Sequence, residues 1–138
     1  MRQALGTLTI TAARQGLHEI TGEVGEWLGQ QGLSDGLLTL FLRHTSASLL
    51  IQENAAPAAR RDLERYFAML APESGSYEHD DEGPDDMPAH LRGALTNTHL
   101  SVPVMDGRMM LGTWQGIYLF EHRRTPSPRQ LALHLVGE

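Results

Sequence analysis

Three histidines stand in polar, turn-prone settings along this chain: His44 in Arg43-His44-Thr45-Ser46, His79 in Tyr77-Glu78-His79-Asp80-Asp81, and His90 in Met87-Pro88-Ala89-His90. Imidazole changes charge close to neutral pH and is a good ligand for borderline metal ions. Cys is absent, so these rings and the carboxylates near them are the groups best suited to bind a transition metal or move a proton. His44, His79 and His90 are accordingly the candidate metal ligands. Zinc would suit them, and Glu53 or a carboxylate of the acidic segment would complete or support the set. No compact metal motif is present, since His79 and His90 are eleven residues apart and His44 is remote. The fold has to bring them together.

The same residues also read as an anion site. His44, Thr45, Ser46 and Ser48 offer an imidazole and hydroxyls, Asn54 an amide, and Arg43 or Arg92 a guanidinium fork for phosphate, with magnesium as the ion that accompanies phosphates. The catalytic set on either reading is His44, Glu53, His79 and His90. Trp114 and Gln115 could stack on a heteroaromatic ring and read its edge, but the expected role of Trp114 is as a core or subunit-interface anchor. Glu121, in a β-rich run, is expected as a buried carboxylate paired with Arg or His. His18, His122 and His134 are expected at surface or strand positions. No organic cofactor is expected.

Apolar periodicity supplies the elements that must position these groups. Ala4 to Ala12 alternates as a strand, and Glu19 to Gln31 carries Ile20, Val24, Trp27 and Leu28 at helical spacing before Gly32. Leu37 to Leu42 is a continuous apolar run, a buried strand delivering His44 at its end, and Ser46 to Gln52 forms the next strand. Pro57 opens a helix with Leu63, Phe67 and Leu70 on one face. Residues 71 to 88 hold three Pro, two Gly and the acidic cluster, and read as a long loop. His90 to Leu95 follows as a short helix begun by Pro88. Leu100 to Met105 and Arg108 to Leu111 flank Asp106-Gly107, a hairpin signal, and Thr113 to Arg123 and Arg129 to Val136 are strands. The fold class expected is α+β: one compact domain over residues 1–138, a mixed or antiparallel sheet packed with a few helices.

Composition narrows the function further. The 138 residues are 41% hydrophobic, enough for one domain with its own core. Of 17 acids, seven lie between Glu73 and Asp86, where no Arg occurs; the remaining ten nearly balance the 11 Arg, so the net charge of −6 resides in that segment. With no basic face interleaved with aromatics, nucleic-acid binding is not expected. There is no Lys for a Schiff base or a phosphate loop. No apolar run approaches the length of a membrane span and the first residues do not resemble a signal peptide, so the expectation is a cytoplasmic protein with no membrane partner.

Read as successive blocks, His44-Thr45-Ser46-Ala47-Ser48, Gln52-Glu53-Asn54, Tyr77-Glu78-His79, Ala89-His90-Leu91, Val102-Pro103-Val104 with Asp106-Gly107-Arg108, and Leu111-Gly112-Thr113-Trp114-Gln115-Gly116-Ile117 resemble the YjbQ-like family over nearly the whole chain. The resemblance implies an α+β fold, a homotrimer, and a secondary thiamine-phosphate synthase activity, a transfer that joins two phosphorylated heteroaromatic halves with loss of pyrophosphate. It carries over His44, Glu53, Asn54, His79, His90, Trp114, Gln115 and Glu121 as motif positions, and leaves His99 outside them. The function expected is therefore a small-molecule enzyme with a histidine and carboxylate site. The alternative is a non-catalytic metal- or ligand-binding protein using the same pocket.

Overall fold

Strict alternation along Arg129–Gly137, with Leu131, Leu133 and Leu135 buried and the residues between them half-exposed, marks a strand with one face in a core. The computed structural model describes all residues, Met1–Glu138. In chain order the elements are β1 (Arg2–Ile10), β2 (Gly16–Glu19), α1 (Thr21–Gly29), β3 (Gly36–Leu42), β4 (Ala47–Glu53), α2 (Pro57–Leu70), α3 (Asp86–Leu95), β5 (His99–Met105), β6 (Arg108–Met109), β7 (Gln115–Glu121) and β8 (Arg129–Gly137). They form an α+β fold with a five-stranded sheet ordered β1-β8-β3-β5-β6 and a three-stranded sheet ordered β2-β7-β4, every pair antiparallel.

The main core lies between the two sheets. Leu38, Leu40, Leu42, Val102, Val104, Leu131, Leu133 and Leu135 of the larger sheet meet Leu49, Ile117 and Leu119 of the smaller, and Ile20 with Val24 and Leu28 of α1 closes one side. Because successive strand residues point to opposite faces, β7 also buries Tyr118 and Phe120 on its other side, against Leu17, Leu63 and Phe67. This strand is covered on both faces, which is why its sequence runs apolar rather than alternating. The opposite face of the five-stranded sheet is bare. There Leu5, Leu37, Phe41 and Met105 are 75%, 42%, 48% and 51% exposed.

Several element boundaries differ from those the periodicity gives. Residues 16–19, partly assigned to the first helix, form β2, and Ile20 N–H donates to the Ile117 carbonyl, so strand pairing holds the chain until α1 starts at Thr21. The last helix starts at Asp86, four residues before His90, with Pro88 at its third position, where a helix has no acceptor for the missing N–H. The loop before it thus ends at Asp85 rather than at Pro88. Asp106 and Gly107 both adopt positive φ, 53° and 74°, the two-residue turn whose twist matches its flanking strands, but only Arg108–Met109 continue as β6.

Candidate functional site

The start of α3 decides which groups meet. Asp86 and His90 are four residues apart on that helix and therefore lie on one face, one above the other. His90 Nε2 is 3.2 Å from Asp86 Oδ2, and His79, brought over by the acidic loop, places its Nε2 2.8 Å from the same oxygen. Glu82 Oε2 lies 3.0 Å from His79 Nε2, with Asp81 3.6 Å from the other ring nitrogen. The ligand atoms of His79, Asp86 and His90 all fall within 4.8 Å of one another.

Both the ring of His90 and the carboxylate of Asp86 are held from behind. His90 Nδ1 donates to the Thr45 carbonyl at 2.9 Å; a carbonyl only accepts, so the proton of the neutral ring is on Nδ1 and Nε2 presents a lone pair. Asp86, 3% exposed, accepts from Arg123 Nη1 at 2.7 Å on Oδ1, which turns Oδ2 toward the imidazoles. The Arg123 guanidinium also donates to Asp85 Oδ2 at 3.0 Å and to the Glu82 carbonyl at 2.9 Å, while Arg124 N–H donates to Asp85 Oδ2 at 2.8 Å. Two residues following β7 thereby fasten the end of the acidic loop. Burial pushes the Asp86 carboxyl up, but the hydrogen bond that His79 donates, the charge His90 carries when protonated and the Arg123 guanidinium outweigh burial and hold it below the usual range. The hydrogen bond to Asp86 in turn raises His79.

His44 does not join this cluster. Its Nε2 accepts the Gln130 N–H at 2.7 Å, and its Nδ1 faces Arg129 Nη1 at 3.4 Å. Burial, then the Arg129 charge, lowers its pKa. It lines, with Thr45, Thr98 and His90, a cavity of about 370 Å³ whose lining includes no residue of the acidic loop. A separate groove of about 690 Å³ runs along Tyr77, His79, Asp81 and Met87.

The other candidates divide by position. Ser46 accepts from Arg129 at its hydroxyl, 2.9 Å, and at its carbonyl, 3.2 Å. Glu121, fully buried, pairs with both ends of the Arg129 fork, the buried ion pair expected of it. Ser48 is sealed in the core with its hydroxyl 2.8 Å from His122 Nε2 and 2.6 Å from the Thr96 hydroxyl, so it has no route to a ligand. Arg92 is also buried, donating to the Ala71 carbonyl at 2.9 and 3.3 Å, which commits the fork that was expected to hold phosphate.

Glu53, Asn54, Trp114 and Gln115 gather at the opposite end of the β4–β7 pair, where Glu53 registers with Gln115 while Ala47 registers with Glu121. Six strand steps put them about 20 Å along β4 from Ala47. Within one chain, therefore, Glu53 does not stand beside the histidines. Its carboxylate accepts the Ala56 N–H at 3.0 Å at the entry to α2. The Asn54 amide donates to Glu19 at 3.3 Å, and Gln115 Oε1 accepts the Gly112 N–H at 2.7 Å. Trp114 is 62% exposed rather than a core anchor of its own chain, because Thr113 and Trp114 form a turn before β7 begins.

Sequence reasoning missed Asp86, Arg123, Arg129 and His122. Asp86 is hidden among seven acids, and only an Asp-x-x-x-His spacing, visible once the helix is started before Pro88, singles it out. His122, expected at a surface or strand position, is 0% exposed, with Nδ1 unpartnered, and burial with the charges of Arg92 and Arg129 pushes its pKa down to about 3.

The family model described as UPF0047 protein YjbQ-like matches residues 6–138. A UPF0047 protein of Synechocystis sp. is 47% identical over 138 residues, 99% of this chain and 94% of its own, and the UPF0047 protein YjbQ of Escherichia coli O157:H7 is 46% identical over 96% of each chain. The crystal structure of a hypothetical protein from Aeropyrum pernix K1, 30% identical, matches with a TM-score of 0.87 over 98% of this chain and 99% of the other. That of a YbjQ-like protein of unknown function from Sulfolobus solfataricus P2 matches with a TM-score of 0.90 over 99% of each chain, at 24% identity, and bears on the fold alone. By its sequence and its fold, the chain belongs to the UPF0047 protein YjbQ-like family.

Proposed function

We propose that the protein is a small-molecule enzyme built on a divalent-cation centre made by His79, Asp86 and His90. The observation that carries this reading is the orientation of His90: with Nδ1 held by the Thr45 carbonyl, its Nε2 lone pair faces a carboxylate oxygen at 3.2 Å, two acceptors that a cation between them would reconcile. The two spacings from Asp86 Oδ2 are near those of zinc ligands. Ligands at about 2.0–2.1 Å from a tetrahedral zinc stand roughly 3.3 Å apart, against the 2.8 and 3.2 Å from Asp86 Oδ2 to the two imidazoles. Three protein ligands leave a fourth position open, as in catalytic rather than structural zinc sites. Magnesium, which prefers oxygen ligands, would instead draw on Asp81 and Glu82.

Such a cation supplies Lewis acidity and neutralises charge on a departing oxyanion. The reaction that the family resemblance favours is thiamine-phosphate synthase-like transfer on phosphorylated heteroaromatic molecules, as a low or secondary activity. The partner in this proposal is the chain itself, as a homotrimer, supported by the bare apolar sheet face around Leu37 and Phe41. A site between subunits would also give Glu53, Asn54 and the exposed Trp114, remote from the histidines in one chain, a share in it. The cytoplasm, where phosphorylated metabolites are held, is the setting we propose.

The test is metal analysis of untagged protein purified without chelator, alongside assay of thiamine phosphate formation, for the wild type, Asp86→Asn and His90→Ala. One metal ion per chain, lost in both variants together with the activity, supports the reading. Failure of the wild type to take up added zinc overturns it. Stoichiometric metal with no turnover above the Asp86→Asn level would favour the second reading, a metal- or ligand-binding protein without catalysis.

A further inference from the structure

The two sides of His90 have opposite chemistry. Toward the acidic loop it faces converging acceptors. On its other side lies the cavity of about 370 Å³ between the His44–Thr45 turn and α3, at the small end of the range for ligand sites. In a chain of net charge −6 this cavity has no carboxylate in its lining, and its polar groups are His44, Thr45, Thr98 and His90.

His44 shows what the cavity can offer. Its Nε2 accepts the Gln130 N–H, so in the neutral ring the proton is on Nδ1. The neighbour of that Nδ1–H is Arg129 Nη1 at 3.4 Å, itself a donor, so the Nδ1–H has no acceptor from the protein. Burial and the neighbouring positive charges of Arg129 and Arg43 keep the ring in that neutral form. Thr45 and Thr98 are exposed residues at the cavity mouth with hydroxyls that can rotate toward a ligand. Gly93 brings the α3 backbone close, because a Cβ there would lie 3.3 Å from the Thr45 carbonyl.

We propose that this cavity is a subsite for an oxyanion, the phosphate or carboxylate of a small-molecule ligand, gripped by the His44 Nδ1–H and the Thr45 and Thr98 hydroxyls. Its orientation rests on the cation centre proposed above: His90 is the wall shared by the two, so the ligand would lie with its anion at His44 and its reacting end toward Asp86. The existence of the subsite does not need the metal.

The test therefore starts from metal-free protein. Inorganic phosphate and, separately, acetate are titrated into the wild type, the Thr45→Val/Thr98→Val double variant and His79→Ala, following backbone amide NMR shifts. The expected result is saturable binding of at least one anion with shifts centred on residues 44, 45, 93 and 98, weakened about tenfold in the double variant and unchanged in His79→Ala. The tighter anion names the group. No saturable shifts at these residues with either anion, equal affinity in the double variant, or phosphate bound only after zinc is added would each overturn the subsite. Anion binding that persists in a protein unable to take up zinc would sink the cation centre and leave the subsite standing.

Discussion

An imidazole sealed in a protein interior resists protonation, and His122 is sealed completely, between Phe120, Ser48 and two arginine charges. Its folded pKa of about 3 lies below the unfolded value of 6.5, so between these values the unfolded chain binds more protons and stability falls as the pH is lowered. His44, also lowered, acts in the same direction. His79 is raised, so its contribution is complete below 6.5 and is lost only as pH rises through its folded value. Urea unfolding between pH 6 and 5 should therefore show His122→Gln with a pH slope shallower by one proton, about 1.4 kcal/mol per pH unit. A slope equal to wild type would mean His122 titrates normally. Arg123 works at the same scale by fixing Asp86 Oδ1; Arg123→Gln should weaken zinc binding about tenfold to a hundredfold in a chelator competition assay. The sequence made His79 and His90 visible through their residue type and motif blocks. It concealed Asp86 and His122, since neither seven like acids nor a histidine in an apolar strand reveals which one is buried and what it faces.

Among the elements, the Asp106-Gly107 turn was fully legible, because few dipeptides accept two successive positive φ values. A Cβ at Gly107 would meet nothing nearer than the Leu33 carbonyl at 3.8 Å, so Gly107→Ala isolates the conformational cost of φ 74° from any clash. That cost should be about 1 kcal/mol, read as a lower urea midpoint with unchanged slope. Long periodic segments such as Pro57–Leu70 were legible for the same kind of reason: one pattern admits one structure. Short ones were not. β2 has four residues and owes its existence to pairing with β7, a partner about a hundred residues away that local pattern cannot supply. The start of α3 was obscured by Pro88, which reads as a beginning although it is tolerated anywhere in a first turn.

At the scale of the whole molecule, the bare face of the five-stranded sheet is the feature that a monomer would leave in water. Phe41 and Leu37 lie on it at half exposure, on the third strand in sequence and the middle strand in space. If that face joins copies of the chain, Phe41→Glu should convert a trimer to a monomer in sedimentation velocity at micromolar concentration while leaving the circular dichroism spectrum unchanged. A wild type that sediments as a monomer would remove the interface altogether. The distribution of charge has its own consequence. Seven acids lie between Glu73 and Asp86 and the rest of the chain is close to neutral, so even with Arg123 and Arg124 folded against it the loop gives the protein a strong electric dipole. A cation in solution is drawn toward that pole before it touches a ligand atom, and its association rate should fall with ionic strength as the field is screened over about 8–10 Å. If the proposed centre holds that cation, its dissociation would be set by His79, Asp86 and His90 and should hardly respond to salt. The charge of the loop would thus govern how fast the proposed centre fills, and the three ligands how long it stays filled.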